Sequence, residues 1–425
     1  MPLSGQVPAR IFRVVATPYA PKTGAGFVPK MGKQNRKGRT ASYKGGMALF
    51  VCPTCSARYP AEEPHWRCTC GSYLNWERPV RFDRDSIVRN DYSIWRYRHV
   101  LALAPGKEPV SLGEGWTPIV SVDWHGREIL FKLDYLCPSG SFKDRGTAVL
   151  VSKLKAWGIE EVVEDSSGNA GASLAMYTAR SGINCTIYAP ASASRGKLVQ
   201  IALAGARLVL VPGSREDTVQ AVLKAAESTF YASHNLSPLF LEGIKTLALE
   251  LAEQLGWEAP ESIIIPVGNG SLALGLAAGF KLLQDAGLVS RLPRLIAVQS
   301  AACAPLAAAF NAGRDEPSPI TKGLTMAEGI ASKAPPRGRE VLAAVRTSGG
   351  AFVTVTEEEI TAAIVELAEK GLYVEPTSAT AAAAFTKLTA EGYIRPGGQV
   401  VAVLTGSGLK ATDKLAELFA AKLPL

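Results

Sequence analysis

The sequence lacks any long hydrophobic run. None of its apolar stretches approaches the roughly 18 residues that a membrane-spanning helix requires, so no such helix is expected. The 425 residues are nonetheless 47% hydrophobic, which is enough to bury one large core or two lobes. We therefore predict a globular, cytoplasmic protein with no membrane partner.

Acidic residues are missing from the first 46 positions, which contain nine Lys and Arg. The whole chain has 46 basic and 38 acidic residues, so the remainder has 37 basic against 38 acidic and is nearly neutral. This composition predicts a disordered basic tail over residues 1–46. An organellar transit peptide and a nucleic-acid or membrane-surface arm are alternatives, but we favour a misassigned start with Met47 as the first residue. The neutral remainder argues against a nucleic-acid partner.

The cysteines of the sequence are not distributed as in a disulfide framework. Three of the seven cysteines are scattered singly, as in a reducing cytosol: Cys137, Cys185 and Cys303. The other four form two close pairs, Cys52 with Cys55 and Cys68 with Cys70. Four thiolates at this spacing suit tetrahedral zinc in a closed, structural site. We predict a zinc-ribbon-like module over residues 47–80, with a disulfide, or His65 in place of one thiolate, as the alternatives.

After residue 113, apolar strands alternate with helices, which predicts parallel sheets covered by helices on both faces and hence an α/β fold. The candidate strands are residues 129–133, 161–164, 185–189, 207–211, 262–267, 294–299, 351–355 and 399–404. The candidate helices include residues 147–157, 194–204, 217–228, 241–256 and 357–370. An aromatic, basic segment over residues 85–107 is expected to pack on the core or on a partner subunit.

A lysine in a turn of small residues is the most informative local feature. Residues 138–146 place Lys143 just before the candidate helix at residues 147–157. A lysine that loses water, or that lies near other cations, loses its charge more easily and becomes a nucleophile. A solvated surface lysine is the ordinary alternative, and three further motifs argue against it.

Those motifs are three loops of glycine and small polar residues, each after an apolar strand. Residues 164–173 hold Ser166, Ser167 and Asn169 at the start of an alanine-rich helix, where backbone N–H groups can hold an anion. Residues 263–271 end in Gly268, Asn269, Gly270 and Ser271, which is typical of a phosphate site at a helix N-terminus. Residues 400–410 deliver Thr405 to the carboxyl end of a buried strand.

This order of motifs resembles the pyridoxal-phosphate enzymes of the tryptophan-synthase β fold, and within that group the threonine synthases. The similar stretches are residues 113–118, 141–146, 241–246, 374–378 and 404–410, and the resemblance covers roughly residues 48–420. It implies a two-lobed pyridoxal-phosphate fold of type II over residues 81–425, with a smaller lobe at about 147–236. It also implies a homodimer.

The resemblance further implies a carbon–oxygen lyase that converts O-phosphohomoserine and water to threonine and phosphate. Lys143 would attach the cofactor and move protons, Asn169 would bond its ring oxygen, and Thr405 would face its ring nitrogen. Residues 268–271 would hold the cofactor phosphate, and Ser166 and Ser167 the substrate carboxylate.

The sequence departs from the family pattern where the leaving phosphate should bind. Phe240 stands where an arginine is usual, and it cannot pair with a phosphate dianion. Asn235 and Ser237 are the candidates to bind the substrate there, and His234 lies close by. A β-replacing or β-eliminating enzyme of the same fold is therefore the alternative, either a cysteate-synthase-like enzyme acting on phosphoserine or a serine/threonine deaminase.

Overall fold

The computed structural model describes residues 48–193 and 195–420 of the chain. The prediction of a disordered tail over residues 1–46 lies outside the described residues. The strands are β1 Leu49–Val51, β2 Arg58–Pro60, β3 Asn75–Glu77, β4 Ile119–Trp124, β5 Arg127–Lys132, β6 Glu161–Glu164, β7 Asn184–Pro190, β8 Arg207–Val211, β9 Phe230–Tyr231, β10 Ser262–Pro266, β11 Arg294–Ser300, β12 Ala351–Val355 and β13 Val400–Val403.

The α-helices lie between and after these strands. They are α1 Lys143–Ala156, α2 Asn169–Ser181, α3 Arg195–Leu203, α4 Arg215–Ala225, α5 Pro238–Ile244, α6 Thr246–Gln254, α7 Ser271–Asp285, α8 Pro305–Asn311, α9 Gly338–Thr347, α10 Glu357–Glu369, α11 Pro376–Ala390 and α12 Thr412–Leu418. No helix within residues 48–193 and 195–420 is both long enough and apolar enough to cross a membrane.

The strands form three sheets. A six-stranded sheet has the order β12-β11-β10-β13-β5-β4, and a four-stranded parallel sheet has the order β8-β7-β6-β9. The small antiparallel sheet β2-β1-β3 belongs to the cysteine-containing module. The four-stranded sheet occupies residues 161–231, inside the range predicted for the smaller lobe, although the lobe boundaries themselves stay a prediction.

The six-stranded sheet is buried on both faces. All five residues of β10 are buried, and its alternate side chains enter two different cores. Ile263 and Ile265 join one apolar cluster, whereas Ile264 joins the other. Successive strand residues point to opposite faces, so a continuous apolar run is what a sheet covered on both sides requires.

The predicted strands are present, and three of them match the predicted bounds residue for residue: β6, β8 and β12. Two edge strands, β4 and β9, were missed, as were the three short strands of the cysteine-containing module. Strand β4 pairs antiparallel with β5, so the larger sheet is mixed and not purely parallel. The two are joined by a tight turn in which His125 and Gly126 both have positive φ values, of 55° and 73°.

Two helix predictions were wrong in their bounds. The helix predicted over residues 147–157 begins four residues earlier, at Lys143. The Asp144 carboxylate organises this start, because it accepts hydrogen bonds from the Ser139 N–H at 2.6 Å and the Ser139 hydroxyl at 2.5 Å. The helix predicted over residues 241–256 is instead two helices, α5 and α6, which meet at Lys245.

The aromatic segment over residues 85–107 packs on the core of the same chain. Trp95 and Tyr97 are buried, and Arg96 and Tyr97 both donate hydrogen bonds to Glu253 of α6.

The cysteine-containing module is also attached to the rest of the chain by hydrogen bonds. Arg337 donates to the Leu74 carbonyl at 2.6 Å and to the Leu236 carbonyl at 2.8 Å, so one guanidinium joins the module to the loop before α5.

A buried ion network holds the start of α1. The Arg145 guanidinium contacts Asp134 at 2.7 Å and Glu250 at 2.7 Å, and all three side chains have no solvent exposure. Lys132 adds a second cation at 2.5 Å from Glu250. Burial by itself would raise the pKa of Glu250, but the Arg145 and Lys132 charges hold that pKa well below its usual range.

Replacing Arg145 is expected to destabilise the fold strongly. Arg145→Met leaves the Asp134 and Glu250 carboxylates buried and short of their cation, and breaking such a pair costs about 3–5 kcal/mol. The free energy of unfolding, measured by urea denaturation, should fall by that amount. The matched control is Arg339→Met, which removes an exposed pair with Glu316 and should leave the free energy of unfolding nearly unchanged, because solvent screens such pairs. Equal losses in the two variants would contradict the role given to the network.

Candidate active site

Lys143 is the first residue of α1, and its amine lies among aromatic rings. Its Nζ is 4.5 Å from the centre of the Phe142 ring and 5.9 Å from that of Phe240. Burial lowers the pKa of Lys143 to about 8, although the negative charges of Glu375 and Glu164 oppose the shift. An amine in these surroundings is partly neutral near physiological pH, which is the state a nucleophile needs.

The turn before Lys143 is joined to the Thr405 loop. The Phe142 N–H donates to the Thr405 carbonyl at 2.9 Å, and Ser141 forms an isolated antiparallel bridge with Gly406. Thr405 is buried, and its hydroxyl lies 3.0 Å from that of Ser378. The Ser378 hydroxyl also accepts the N–H groups of Thr405 and Gly406. Ser378, on α11, therefore fixes the conformation of the loop that carries Thr405.

Asn169 reaches the same region from the other sheet. It begins α2, and its side-chain Nδ2 donates to both oxygens of Glu375, at 3.0 and 3.1 Å. The Glu375 carboxylate packs against Gly406, where an added Cβ would approach it to 2.3 Å. The Glu375 carboxylate thus bonds Asn169, interacts through charge with Lys143 and lies against the residue that follows Thr405.

The candidate phosphate loop follows β10, which is the strand next to β13. Gly270 has a φ of +87°, and α7 starts directly after it at Ser271 with no side-chain cap. The first backbone N–H groups of this helix are therefore available to an anion. Asn269 is held in place, because its Oδ1 accepts a hydrogen bond from the Ser332 hydroxyl at 2.7 Å.

These residues fit pyridoxal phosphate. An uncapped N-terminus on a 15-residue helix suits the phosphate, and a half-buried amine of lowered pKa suits covalent attachment of the cofactor. There is also room beside the Asn169 loop, since a Cβ added to Gly168 would meet no atom nearer than 4.0 Å. The chemistry of the donor set and the open space agree with the cofactor predicted from the sequence.

The candidate substrate residues lie in two loops of the four-stranded region. Ser166 and Ser167 are half-buried between β6 and α2, where the Ser166 hydroxyl accepts the Gly168 N–H at 3.3 Å. Ser237 is buried immediately before α5. Asn235 keeps its Oδ1 buried without a hydrogen-bond partner among the described residues. Their binding roles stay predictions.

A buried acid–base pair lies next to these loops. His234 Nδ1 is 2.8 Å from Glu164 Oε1, and the His234 N–H donates to Glu164 Oε2 at 3.2 Å. Burial raises the pKa of Glu164 to about 7. Burial also lowers the pKa of His234 to about 3, with the Lys143 charge as the next cause.

The four cysteines predicted to bind metal are brought together. Cys52 and Cys70 have their sulfurs 3.5 Å apart, Cys55 and Cys68 have theirs 3.4 Å apart, and all four sulfurs lie within 4.8 Å of one another. Tetrahedral zinc with Zn–S bonds of about 2.3 Å separates its sulfurs by about 3.8 Å, so the cluster has the size of a zinc site.

Several residues that shape the site had no role predicted from the sequence: Glu164, Ser332, Glu375 and Ser378. Glu164 offered a signal, because a carboxylate stands directly after the apolar residues of β6. Glu375 and Ser378 lay in a stretch that resembled the family, but nothing in the sequence connected them to Asn169 or Thr405. Phe240, noted as a lost arginine, is a buried ring beside Lys143.

The fold and the site define a pyridoxal-phosphate enzyme of fold type II. Residues 110–406 match the family described as pyridoxal-phosphate dependent enzyme, and the chain belongs to that family.

The most similar curated relatives include threonine synthases from two organisms. The Methanocaldococcus jannaschii protein is 34% identical over 378 residues, which cover 86% of this chain and 93% of that protein. The Methanosarcina acetivorans protein is 32% identical over 376 residues, which cover 86% of this chain and 92% of that protein. The resemblance to threonine synthases is thereby confirmed. The solved structure of a processed threonine deaminase from Solanum lycopersicum shares the fold, with a TM-score of 0.63 and 22% identity over 85% of this chain and 95% of that one.

Replacing Gly270 is expected to damage the phosphate loop. Gly270→Ala places a Cβ at 2.2 Å from Val341 Cγ2 and strains a positive φ. We expect the free energy of unfolding to fall by about 2 kcal/mol or more and the affinity for pyridoxal phosphate to fall at least about tenfold. The control is Gly287→Ala, whose φ of +74° is similar but whose Cβ would meet nothing within 4 Å. Cofactor titration followed by absorbance should separate the two, and equal affinities would contradict the assignment of the loop.

Proposed function

We propose that the protein converts O-phosphohomoserine and water to threonine and phosphate. The observation that carries the proposal is the Lys143 amine, which is held among aromatic rings with a lowered pKa beside the Asn169 and Thr405 loops. The curated relatives named above support the reaction by their similarity over most of the chain.

Each residue of the site has a proposed task. Lys143 attaches the cofactor and, once free of it, removes and returns protons at the substrate carbons. Residues 268–271 hold the cofactor phosphate through backbone N–H groups and the Ser271 hydroxyl. Asn169 orients the ring with its amide while Glu375 accepts from the same nitrogen. When bound, pyridoxal phosphate supplies an electron sink for the negative charge that develops on the substrate carbons.

The Thr405 hydroxyl is proposed to face the ring nitrogen. A hydroxyl at this position, unlike a carboxylate, does not force that nitrogen to be protonated. The Thr405 hydroxyl is held by the hydroxyl of Ser378. Elimination and replacement chemistry tolerates this arrangement. Ser166 and Ser167 are proposed to bind the substrate carboxylate, and Asn235 and Ser237 to bind near the leaving phosphate. The unpaired Oδ1 of Asn235 supports a ligand at that position, because a buried acceptor without a partner is costly.

The test is product formation by the purified, cofactor-loaded protein. O-phosphohomoserine, O-phosphoserine with and without sulfite, threonine and serine are offered separately, and inorganic phosphate, ammonia and amino-acid products are measured. We expect threonine and phosphate in equal amounts from O-phosphohomoserine. Lys143→Ala should lose at least about a thousandfold in rate, because no other group replaces the attached amine. Lys155→Ala, which removes an exposed lysine of the same helix, should match the wild type.

Two results would contradict the proposal. Sulfite-dependent phosphate release from O-phosphoserine without activity on O-phosphohomoserine would favour the cysteate-synthase-like alternative. Ammonia release from threonine or serine alone would favour a deaminase. In either case the role proposed for Lys143 would stand, and only the proposed substrate would be wrong.

The cysteine cluster is proposed to bind one structural zinc ion. Four convergent sulfurs leave no open coordination position, so this metal would stabilise the module and not act on substrate. Through Arg337, the module also contacts the loop that carries Asn235. A homodimer in the cytoplasm stays a prediction.

Zinc content gives a direct check on the cluster. The purified protein should contain about one zinc per chain, and Cys68→Ala should contain almost none and unfold at a lower temperature. Cys303→Ala is the matched control, since it removes a buried cysteine outside the cluster and should keep the metal. Elemental analysis measures the zinc and thermal denaturation the stability. A metal-free wild type whose unfolding temperature is unaffected by a chelator would exclude the site.

A further inference from the structure

Glu164 and His234 form a buried pair to which the proposed function gives no task. Both oxygens of the carboxylate contact His234, one at the ring Nδ1 and one at the backbone N–H. Glu164 is 1% exposed and the His234 side chain 11%. The orientation of the imidazole is therefore fixed. No hydrogen bond to its Nε2 occurs among the described side chains, so this nitrogen is available to a ligand.

The pair borders the Lys143 site. The Phe240 ring is close to both, with its centre 5.9 Å from Lys143 Nζ and 6.1 Å from the centre of the His234 ring. The charges also interact, since Lys143 contributes to the lowered pKa of His234 and Glu164 opposes the lowering of the pKa of Lys143. Asn235, the next residue along the chain, has the buried unpaired oxygen described above.

The pair can exchange one proton near neutral pH. Burial raises the pKa of Glu164 to about 7, while the pKa of His234, at about 3, excludes the imidazolium form. When Glu164 is protonated, it donates to Nδ1 and the imidazole carries its hydrogen on Nε2. When Glu164 is ionised, the hydrogen lies on Nδ1 and Nε2 becomes an acceptor. When Nε2 gives up its proton, the Glu164 proton moves to Nδ1, so the net change in the pair is the ionisation of Glu164.

We propose that Glu164 and His234 form a proton relay that protonates the departing phosphate and later accepts a proton from the attacking water. This inference rests on the proposed function and assigns one step of it. His234 would act on the leaving group from the side where Phe240 replaces the arginine of the family pattern. The relay is an alternative way to stabilise the leaving phosphate, since a neutral N–H donor can act where no cation is present.

The step balances in atoms and electrons. As the Cγ–O bond breaks, its electron pair stays on the oxygen. Lys143 takes a proton from a neighbouring carbon, and the electron pair of that C–H bond enters the carbon skeleton. The Nε2 proton moves to the phosphate oxygen, and the Glu164 proton moves to Nδ1. When water adds to Cβ, one of its protons goes to Nε2 and the Nδ1 proton returns to Glu164. Lys143 returns the proton that it took to Cγ, which becomes the methyl carbon of threonine. Water thus provides the hydroxyl of threonine and, through the relay, the proton of the released phosphate.

The test uses the cofactor-loaded protein with O-phosphohomoserine in D2O. The variants are His234→Asn and Glu164→Gln, and the control is His125→Asn, an exposed histidine paired with Glu366. Phosphate release should fall about a hundredfold or more in both relay variants, which is the usual contribution of acid–base catalysis. Lys143 should still exchange the Cα proton, so the recovered O-phosphohomoserine should contain deuterium at Cα. The control should release phosphate within about twofold of the wild type.

Three outcomes would overturn the relay. Phosphate release at the wild-type rate in either variant excludes a necessary proton transfer. A fall in release without deuterium in the recovered substrate shows that the change acts earlier, on Lys143 itself. A wild type that releases no phosphate from O-phosphohomoserine refutes the proposed function before any variant is compared, and the relay is refuted with it.

Discussion

The ion network of Arg145 is the interaction on which the rest of the structure depends. Asp134 precedes α1, and Glu250 lies on α6, so one guanidinium joins two separate segments to the first turn of the helix that starts at Lys143. Buried ions are costly unless each charge is paired. Here each carboxylate contacts the guanidinium, and none of the three side chains is exposed to solvent. The position of the reactive lysine is therefore determined by charges two residues further along the same helix.

The surroundings of Lys143 follow from this placement. The charged groups of the network are paired with one another, and the Lys143 amine lies near the rings of Phe142 and Phe240. The nearest negative charges, on Glu375 and Glu164, only partly offset the loss of water. The same burial that lowers the pKa of Lys143 raises that of Glu164. Loss of water thus brings the pKa of a lysine to about 8 and that of a neighbouring carboxyl group to about 7, and shifts of this kind allow acid and base functions to coexist in a single site.

Much of the fold could be predicted from the sequence, because buried parallel strands are apolar runs and those runs were visible. The edge strand β4 was not predicted, because it is only partly buried and its alternation of buried and exposed residues is weak. The start of α1 escaped because it depends on Ser139 bonding to Asp144 and not on helix propensity. The motif residues Lys143, Asn169 and Thr405 were recognisable from local sequence. Their partners were not, since Glu375 lies 206 residues from Asn169 and His234 lies 70 residues from Glu164.

The most direct measurement is the titration of the Lys143 amine in the cofactor-free protein. Lysine labelled with carbon-13 at Cε reports each amine by NMR, and Lys143→Met assigns the resonance by its absence. The account predicts a resonance that titrates near pH 8, well below the usual value of about 10.4 for lysine. A Lys143 amine that titrates at the usual value would contradict the claim that burial, set by the Arg145 network, prepares this residue for its chemistry.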